Sequence, residues 1–330
     1  MKRFIPHFLF LAAFLAGMGH PFAAPAQSRQ PAQAAELIQL RRLEVASGQY
    51  SGITCIGEES YAVVHDKARG GGLYIFTLGF REDGTIGPVH AFETDAGGPA
   101  GRDNEDVVYV PETRTLFVAA EGDQSIREYD LSGRETGRQL AVPDQFKAIR
   151  SNAGFEALAY ADGSFWTTTE APLPAESRPQ IHRIQRFRLI GLMPCEQYLY
   201  QADEPLVPEA EAKTAQAYVY GISAMTALPD GGLLVLEREV YVPGGGLLQM
   251  LSAFSQVSLY RVEPLSDPGE VLQKTLVTRF QTGALNLANF EGMCLGPVLP
   301  DGRQTLLMLA DSQNGAGGLV GEYIRVMALP

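Results

Sequence analysis

The sequence predicts an all-β protein, a β-propeller of four-stranded blades, and three observations lead to this prediction. A hairpin unit recurs five times, helical periodicity is weak throughout, and each unit continues into further alternating strands. One such sheet cannot cover both of its faces, whereas similar sheets stacked around an axis cover one another. A two-layer β-sandwich is the alternative, but it would not require the hairpin unit to recur.

The five hairpin units share one pattern. Each has a short alternating strand, a turn containing Gly, Asp or Pro, and a run of β-branched, aromatic and aliphatic residues that ends on an acid. The nearly continuous apolar character of these second runs predicts strands that are covered on both faces. The units span residues 51–66, 104–123, 154–170, 221–239 and 289–314.

The first and last strands predict how the ring closes. An early strand, Leu37–Val45, precedes the first unit, and the last unit ends one strand short at Pro330. We therefore expect the N-terminal strand to complete the last blade. Five blades are visible, and a sixth, degenerate blade remains an alternative within residues 242–256, although Gly244–Gly246 predicts a loop there.

The N-terminus predicts export. Two basic residues precede an apolar run, Phe8–Met18, and an A-x-A sequence follows at Ala24–Ala26, as in a secretory signal. The run is shorter than the ~20 residues that span a bilayer. We expect a periplasmic or secreted protein without a membrane span. The predicted organisation is a signal peptide at 1–26, a flexible tail at 27–35 and a single propeller domain at 36–330.

Charge and composition exclude several classes of function. The formal net charge is −12, which disfavours general binding to nucleic acid or anionic membranes and is compatible with a cation site. We expect a monomer that acts on a small molecule. The absence of H-E-x-x-H and C-x-x-C sequences argues against the usual zinc sites. Of the three cysteines, Cys55 and Cys294 occupy similar parts of two units and are expected to be buried thiols, while pairing of Cys195 stays open.

Acidic residues recur at two places in the hairpins. In a propeller, corresponding residues form rings near one mouth of the axial channel, so both sets are predicted to converge. The first strands carry Glu105, Glu156 and Glu291, with Ser223 and Gly52 at the corresponding places of the fourth and first units. The second strands end on Asp66, Glu121, Glu170, Glu237 and Asp311.

Carboxylates that converge must be relieved of their repulsion, because each raises the pKa of the others. A hard cation with oxygen ligands, most simply Ca²⁺, would do so. Protons or the nearby arginines are alternatives, and the glutamates could instead accept hydrogen bonds from backbone amides of a neighbouring blade. The expected metal ligands are Glu105, Glu121, Glu170, Glu237 and Asp311.

At these residues the chain resembles the β-propeller family named for the esterase-like activity of phytase. The resemblance rests on "RSNAGFEALAY" at Arg150–Tyr160, on the fourth unit "GISAMTALPDGGLLVLERE" and on the last unit "NFEGMCLGPVLPDGRQTLLMLADSQN". It covers the chain from about Gln49 to the C-terminus. It implies a secreted or periplasmic propeller that hydrolyses phosphate esters. Ser223, Gly52 and Ala157 depart from the pattern of a complete acidic ring.

Two chemistries could hydrolyse an ester in such a protein. The G-x-S-x-G sequence of serine hydrolases is absent, whereas acid-bound calcium could bind phosphate oxygens and activate a water. The alternative to a hydrolase is a non-catalytic propeller that binds a small molecule or a protein. The expected catalytic residues are Glu156, Glu291 and Arg150, and the expected substrate-binding residues are Arg102, Asn152 and Arg238.

Overall fold

Five four-stranded antiparallel sheets form the part of the chain that this computed structural model describes, namely residues 34–45, 49–66, 72–149, 153–263, 268–312 and 320–330. The predicted propeller blades are therefore confirmed. The predicted signal peptide, and the predicted tail up to residue 33, lie outside the described residues.

Each of the first four blades is a meander whose strands pair in chain order. Blade 1 contains β2 (Tyr50–Cys55), β3 (Ser60–His65), β4 (Leu73–Phe80) and β5 (Ile86–Glu93). Blade 2 contains β6 (Asn104–Val110), β7 (Thr115–Ala120), β8 (Ser125–Asp130) and β9 (Glu135–Gln139). Blade 3 contains β10 (Phe155–Ala161), β11 (Ser164–Thr169), β12 (Ile181–Arg188) and β13 (Pro194–Gln201). Blade 4 contains β14 (Ala217–Ala227), β15 (Leu233–Val242), β16 (Phe254–Val262) and β17 (Lys274–Gly283).

The fifth blade joins the two ends of the propeller domain. It contains β18 (Asn289–Val298), β19 (Gln304–Asp311), β20 (Tyr323–Ala328) and, as its outermost strand, β1 (Glu36–Arg42). β1 pairs antiparallel with β20, with Glu36 opposite Ala328 and Arg42 opposite Tyr323. The structure thus agrees with the expectation that an N-terminal strand closes the ring.

Helices are confined to single turns between strands. They are α1 (Asp144–Lys147), α2 (Glu209–Ala212) and α3 (Leu247–Met250). Residues 242–256 hold the end of β15, α3 and the start of β16, so they form no sixth blade, and the described residues contain five sheets. Within the described ranges no helix has the length and hydropathy needed to cross a membrane.

The apolar core lies between the blades, as the strands covered on both faces predict. Separate clusters of buried side chains fill the interfaces between consecutive blades and between blades 5 and 1. Between blades 2 and 3, for example, the rings of Phe117 and Phe165 lie 4.6 Å apart and both are fully buried. Full burial of a side chain of this size stabilises the fold by roughly 1.5–3 kcal/mol.

The innermost strands surround the axis. β2, β6, β10, β14 and β18 each contact the next, and β18 contacts β2. Small residues allow this close approach. A Cβ on Gly292 would lie 2.2 Å from the carbonyl oxygen of Ser51, and one on Gly221 would lie 2.2 Å from that of Glu170. The residues at the start of these five strands are therefore held around one opening.

Candidate functional site

A β-bulge in each inner strand positions the first set of acids. In blade 2, Asn104 pairs with Ala120 and Asp106 with Ala119, so Glu105 between them is the extra residue. A bulge turns its side chain away from the regular alternation of the strand. The same count identifies Glu156, Ser223 and Glu291 as the bulged residues of blades 3, 4 and 5. In blade 1 the shift lies between Tyr50 and Ile53, and Ser51 follows the paired Tyr50 as Glu105 follows the paired Asn104. The expected correspondence of Gly52 is therefore off by one residue, since Ser51 takes that place.

The strand register corrects one member of the second set. Ile222 pairs with Glu237, just as Phe155 pairs with Thr169, so the residue after each of these partners belongs to the second ring. In blade 4 that residue is Arg238 rather than Glu237. The second ring consists of Asp66, Glu121, Glu170, Arg238 and Asp311.

The two rings line a cavity of about 530 Å³ at the axial mouth. Its described lining includes seven carboxylates and one guanidinium, that of Arg238. Tyr218 and Tyr220, at the extended start of β14, also contribute to the lining. The carboxylates are those of Asp66, Glu105, Glu121, Glu156, Glu170, Glu291 and Asp311.

Arg238 neutralises part of this charge. Its Nη2 donates to Glu156 Oε1 at 3.0 Å and to Glu170 Oε1 at 2.6 Å, and its Nη1 donates to Glu291. The side chain is only 3% exposed. Burial alone would lower the pKa of the guanidinium, but the carboxylates of Glu291, Glu170 and Glu156 raise it above its usual value, so the group stays charged.

Arg238 does not fully offset the effects of burial and mutual repulsion on the pKa values of the acids around it. Burial raises the pKa of the Glu156 carboxyl well above its usual value, the neighbouring Glu105 and Glu170 raise it further, and Arg238 offsets only part of this. Burial likewise raises the pKa of Glu170, against the opposing effect of Arg238. A carboxyl with a raised pKa can exchange a proton at a pH where an exposed glutamate stays ionised.

A second group of acids includes Glu105. One carboxylate oxygen from each of Asp66, Asp103 and Glu105 lies within 4.8 Å of the others. Burial raises the pKa of Glu105 well above its usual value, and Asp66, Glu291, Glu121 and Asp103 add to the effect. Three hard oxygen donors at this spacing could hold a hard cation such as Ca²⁺.

Other acids serve as links between blades, as one of the alternatives for these carboxylates expects. Glu121 of blade 2 accepts a hydrogen bond of 2.5 Å from the backbone N–H of Gly154, next to blade 3. Asp106 is 1% exposed and accepts hydrogen bonds from the N–H groups of Leu158 at 2.7 Å and Val107 at 2.8 Å. Glu121 therefore belongs to the mouth and to the blade interface at once.

Glu237 lies in a different network, on the opposite face of β15 from Arg238. Its carboxylate accepts hydrogen bonds from Tyr200 Oη at 2.5 Å, from the Asp203 N–H at 3.0 Å and from Lys274 Nζ at 2.7 Å. It is not among the described residues that line the mouth. The structure therefore does not bring Glu237 together with the other four expected metal ligands.

One expected catalytic residue, Arg150, and two expected substrate-binding residues, Arg102 and Asn152, lie apart from the cavity lining or outside the described ranges. The Arg102 guanidinium points to blade 2, where it pairs with Asp123 at 2.9 Å and donates to Tyr129 Oη at 2.6 Å. Arg150 and Asn152 lie outside the described residues. Among the expected arginines, Arg238 is the one that the described structure brings to the carboxylates.

The sequence patterns did not single out Asp103, Tyr218 and Tyr220. Asp103 immediately precedes the Asn104-Glu105 pair and has a positive φ of 57°, a conformation in which aspartate is enriched. A signal for the two tyrosines was their i, i+2 spacing just before the fourth unit, which places both on one face of a strand.

Comparisons with known proteins give one family model and several structures of partial similarity. The family model "Phytase-like: Esterase-like activity of phytase" matches residues 46–313, and no curated protein matches the sequence. A hydrazine synthase structure from Kuenenia stuttgartiensis is 9% identical, with a TM-score of 0.41 over 87% of this chain and 97% of that one. The periplasmic gluconolactonase PpgL of Pseudomonas aeruginosa is 17% identical, with a TM-score of 0.35 over 82% and 71% of the two chains. The Dos1 propeller is 8% identical, with a TM-score of 0.34 over 83% and 70%.

Proposed function

We propose that this chain, which belongs to the phytase-like family, is a metal-dependent ester hydrolase whose active site is the acidic mouth of the propeller. The observation that carries the proposal is that two different groups of residues occur side by side at the mouth. Asp66, Asp103 and Glu105 offer a set of hard oxygen donors, while Glu156 and Arg238 form a buried acid–guanidinium pair.

The first group has the kind of donor atoms that calcium ions prefer. Asp66, Asp103 and Glu105 supply carboxylate oxygens, and the raised pKa of Glu105 means that its ionised form needs a positive partner. A cation held there would polarise the oxygen of a bound ester and make a water more acidic. These three residues would bind the ion, and the open cavity beside them would receive the substrate.

The attacking group in this proposal is a water. None of the described residues that line the mouth is a serine, cysteine or histidine. Ser223, at a bulge in the fourth blade, is fully buried and donates to the carbonyl oxygen of Phe290 at 3.0 Å. A covalent serine mechanism therefore lacks both a nucleophile and a base among the described lining residues.

Glu156 is the residue that we expect to move the proton. Its raised pKa lets it hold a proton at a pH where an exposed glutamate is ionised, and Arg238 fixes the position of its carboxyl group. Glu291 shares the same guanidinium and would help to orient it. Arg150, expected from the sequence to be catalytic, remains a candidate whose position the described residues do not give.

The charge of the mouth bears on the substrate. Seven carboxylates and one guanidinium oppose a highly phosphorylated anion unless cations are bound. A neutral ester meets no such opposition. We therefore propose a small ester as the substrate, with phosphate esters accepted only in the presence of the metal, and a monomeric protein that acts in the periplasm or outside the cell.

The test compares a phosphate monoester with a neutral carboxylic ester, using the purified chain in calcium and in EGTA. We expect turnover in calcium, its loss in EGTA, and at least a ~10²-fold lower kcat for Glu156→Gln, since a general acid or base contributes about 10²–10⁴. Asp301→Asn, in the exposed turn between β18 and β19, is the matched control and keeps the wild-type rate. Equal rates in EGTA would reject the metal. No turnover of either ester, with calcium binding intact, would favour the binding propeller.

A further inference from the structure

We propose that Cys55 and Cys294 form a disulfide that joins blade 1 to blade 5 at the seam of the ring. Cys55 ends the inner strand of the first blade, and Cys294 lies in the inner strand of the last. Both are free thiols in this structure. The proposal rests on the direction of the two side chains and on the closeness of the two strands.

Cys294 points into the interface between the two blades. It is 5% exposed and belongs to the same buried cluster as Ile53 and Tyr61 of blade 1, together with Leu307 and Ile324 of blade 5. Its side chain therefore contacts the blade to which Cys55 belongs. Any partner for it must come from this interface.

Cys55 faces the same interface from the other side. It lies two residues after Ile53 on β2, and successive side chains of a strand alternate, so both point to one face of the sheet. It also pairs directly with Tyr61, the neighbour of Cys294 in the cluster. Burial raises the pKa of the Tyr61 phenol, and Cys294 and Cys55 raise it further, which agrees with both thiols lying near Tyr61.

The two strands lie close enough for a bridge. A Cβ on Gly292 would approach the Ser51 carbonyl oxygen to 2.2 Å and Ile53 Cγ2 to 3.2 Å. Both strands start at the mouth and run in the same direction, so Cys294, two residues beyond Gly292, lies at the level of β2 that follows Ile53. Disulfides require Cα atoms within about 7 Å, a separation compatible with strands in such contact.

Formation of the bridge needs an oxidant. An exported protein, as proposed above, is exposed to small molecules or proteins that carry a disulfide and act as thiol oxidants. Cys55 is exposed, so the expectation of a buried thiol is wrong for it and holds for Cys294 alone. Cys55 Sγ lies 3.1 Å from the carbonyl oxygen of Gly57. Its thiolate would attack the oxidant's disulfide and release one thiol. Cys294, whose thiol pKa burial raises, would then lose its proton and attack Cys55 Sγ, releasing the second thiol. The two cysteines are oxidised and the oxidant's disulfide is reduced to two thiols.

Cys195 is excluded as the partner by its position. It lies in β13 of blade 3, and its Sγ contacts the carbonyl oxygen of Arg186 at 3.4 Å. A bridge between Cys55 and Cys294 would instead enclose blades 2, 3 and 4, together with β3, β4 and β5 of blade 1, in one covalent loop. Such a loop constrains the unfolded chain strongly and so stabilises the closed ring.

The test treats the folded, full chain with oxidised glutathione, blocks free thiols and maps its peptides without reduction. We expect a peptide pair linked through Cys55 and Cys294 and a Tm about 5 °C or more above that of the reduced protein. Cys195→Ser should behave like the wild type, whereas Cys55→Ser, at an exposed site that tolerates the change, should show neither the link nor the rise.

Three outcomes would overturn the proposal. These are a glutathione adduct on Cys55 that never resolves, a linked peptide that contains Cys195, and a Cys55–Cys294 link without any rise in Tm. All of these readouts are independent of ester hydrolysis. The proposal can therefore succeed or fail whatever the outcome of the assays for the proposed function.

Discussion

Arg238 and Glu156 lie 82 residues apart in the chain and in different blades, yet Arg238 Nη2 donates to Glu156 Oε1 at 3.0 Å in the centre of the mouth. The same guanidinium reaches Glu291 of blade 5. One side chain from blade 4 thus connects three consecutive blades. It also separates two carboxyl groups that would otherwise repel each other inside a buried cavity.

Removing this guanidinium should destabilise the fold strongly. In Arg238→Met the carboxylates of Glu156, Glu170 and Glu291 lose their buried partner, and we expect the free energy of unfolding to fall by about 3–5 kcal/mol at pH 7. Arg261→Met is the matched control. Arg261 belongs to the same blade but pairs with Asp230 and Glu263 at the surface, so its loss should cost about 1 kcal/mol or less. Urea denaturation measures both, and equal effects would contradict the central role of Arg238.

Calcium should raise the melting temperature through the acids of blades 1 and 2. At a calcium concentration of about 100 times Kd, binding to the folded state adds about 2.7 kcal/mol, or roughly 5 °C in Tm. Asp103→Asn should abolish most of this rise, because Asp103 is one of the three clustered donors. Glu237→Gln should retain the rise, since Glu237 lies in another network. A rise that depends on Glu237 and not on Asp103 would place the ion elsewhere.

A buried histidine should make stability fall in acid. Burial lowers the pKa of His182 to about 4, and its Nδ1 lies 3.1 Å from the carbonyl oxygen of Thr169. The unfolded state takes up a proton near pH 6.5 while the folded state does not, so the stability that His182 contributes is lost as the pH falls from about 6.5 towards 4. The loss reaches about 3 kcal/mol at pH 4.

The difference between variants isolates this effect from the acids of the mouth, whose raised pKa values act in the opposite direction. Urea denaturation at several pH values should give a shallower loss of stability in acid for His182→Gln than for the wild type. His90→Gln, at an exposed site in β5, should follow the wild-type curve. Parallel curves for His182→Gln and the wild type would show that His182 does not titrate as expected.

The outermost strand of blade 5 should be essential for a closed ring. A chain that lacks residues 1–42 loses β1, which leaves the edge of β20 unpaired, and we expect loss of cooperative thermal melting and aggregation. A chain that lacks only residues 1–33 keeps β1 and should retain the Tm of a chain that begins at residue 27. Identical melting of the two truncated chains would show that β1 is dispensable.

The sequence was sufficient to predict the blades because each hairpin repeats the same apolar pattern and turn. It also singled out Glu105, Glu156 and Glu291, since each stands near the start of its hairpin unit. The second ring was harder. In "LERE" Arg238 lies between Glu237 and Glu239, and residue type alone cannot tell which of the three side chains faces the axis. Strand register decides this, because a shift of one residue moves a side chain to the opposite face.

Nearness in sequence also misled the expectation for Arg102. It stands two residues before Asn104 and the acids, but its side chain turns outward to Asp123 and Tyr129. Side-chain direction in a loop depends on backbone angles that composition does not reveal. The cluster of Asp66, Asp103 and Glu105 depends on the packing of blade 1 against blade 2, so only the assembled fold brings it together.

The bulged residue of each inner strand stands outside the regular strand pairing, so its side chain can vary while the hydrogen bonds of the sheet stay the same. Serine occupies this position in blades 1 and 4 and glutamate in the other three, and in every blade the strand pairing resumes after the bulge. Substitution of a glutamate that lines the mouth at one of these bulges can therefore change which ligands the opening prefers without altering the strand pairing. Proteins descended from a common ancestor of this architecture could diversify in specificity by this route.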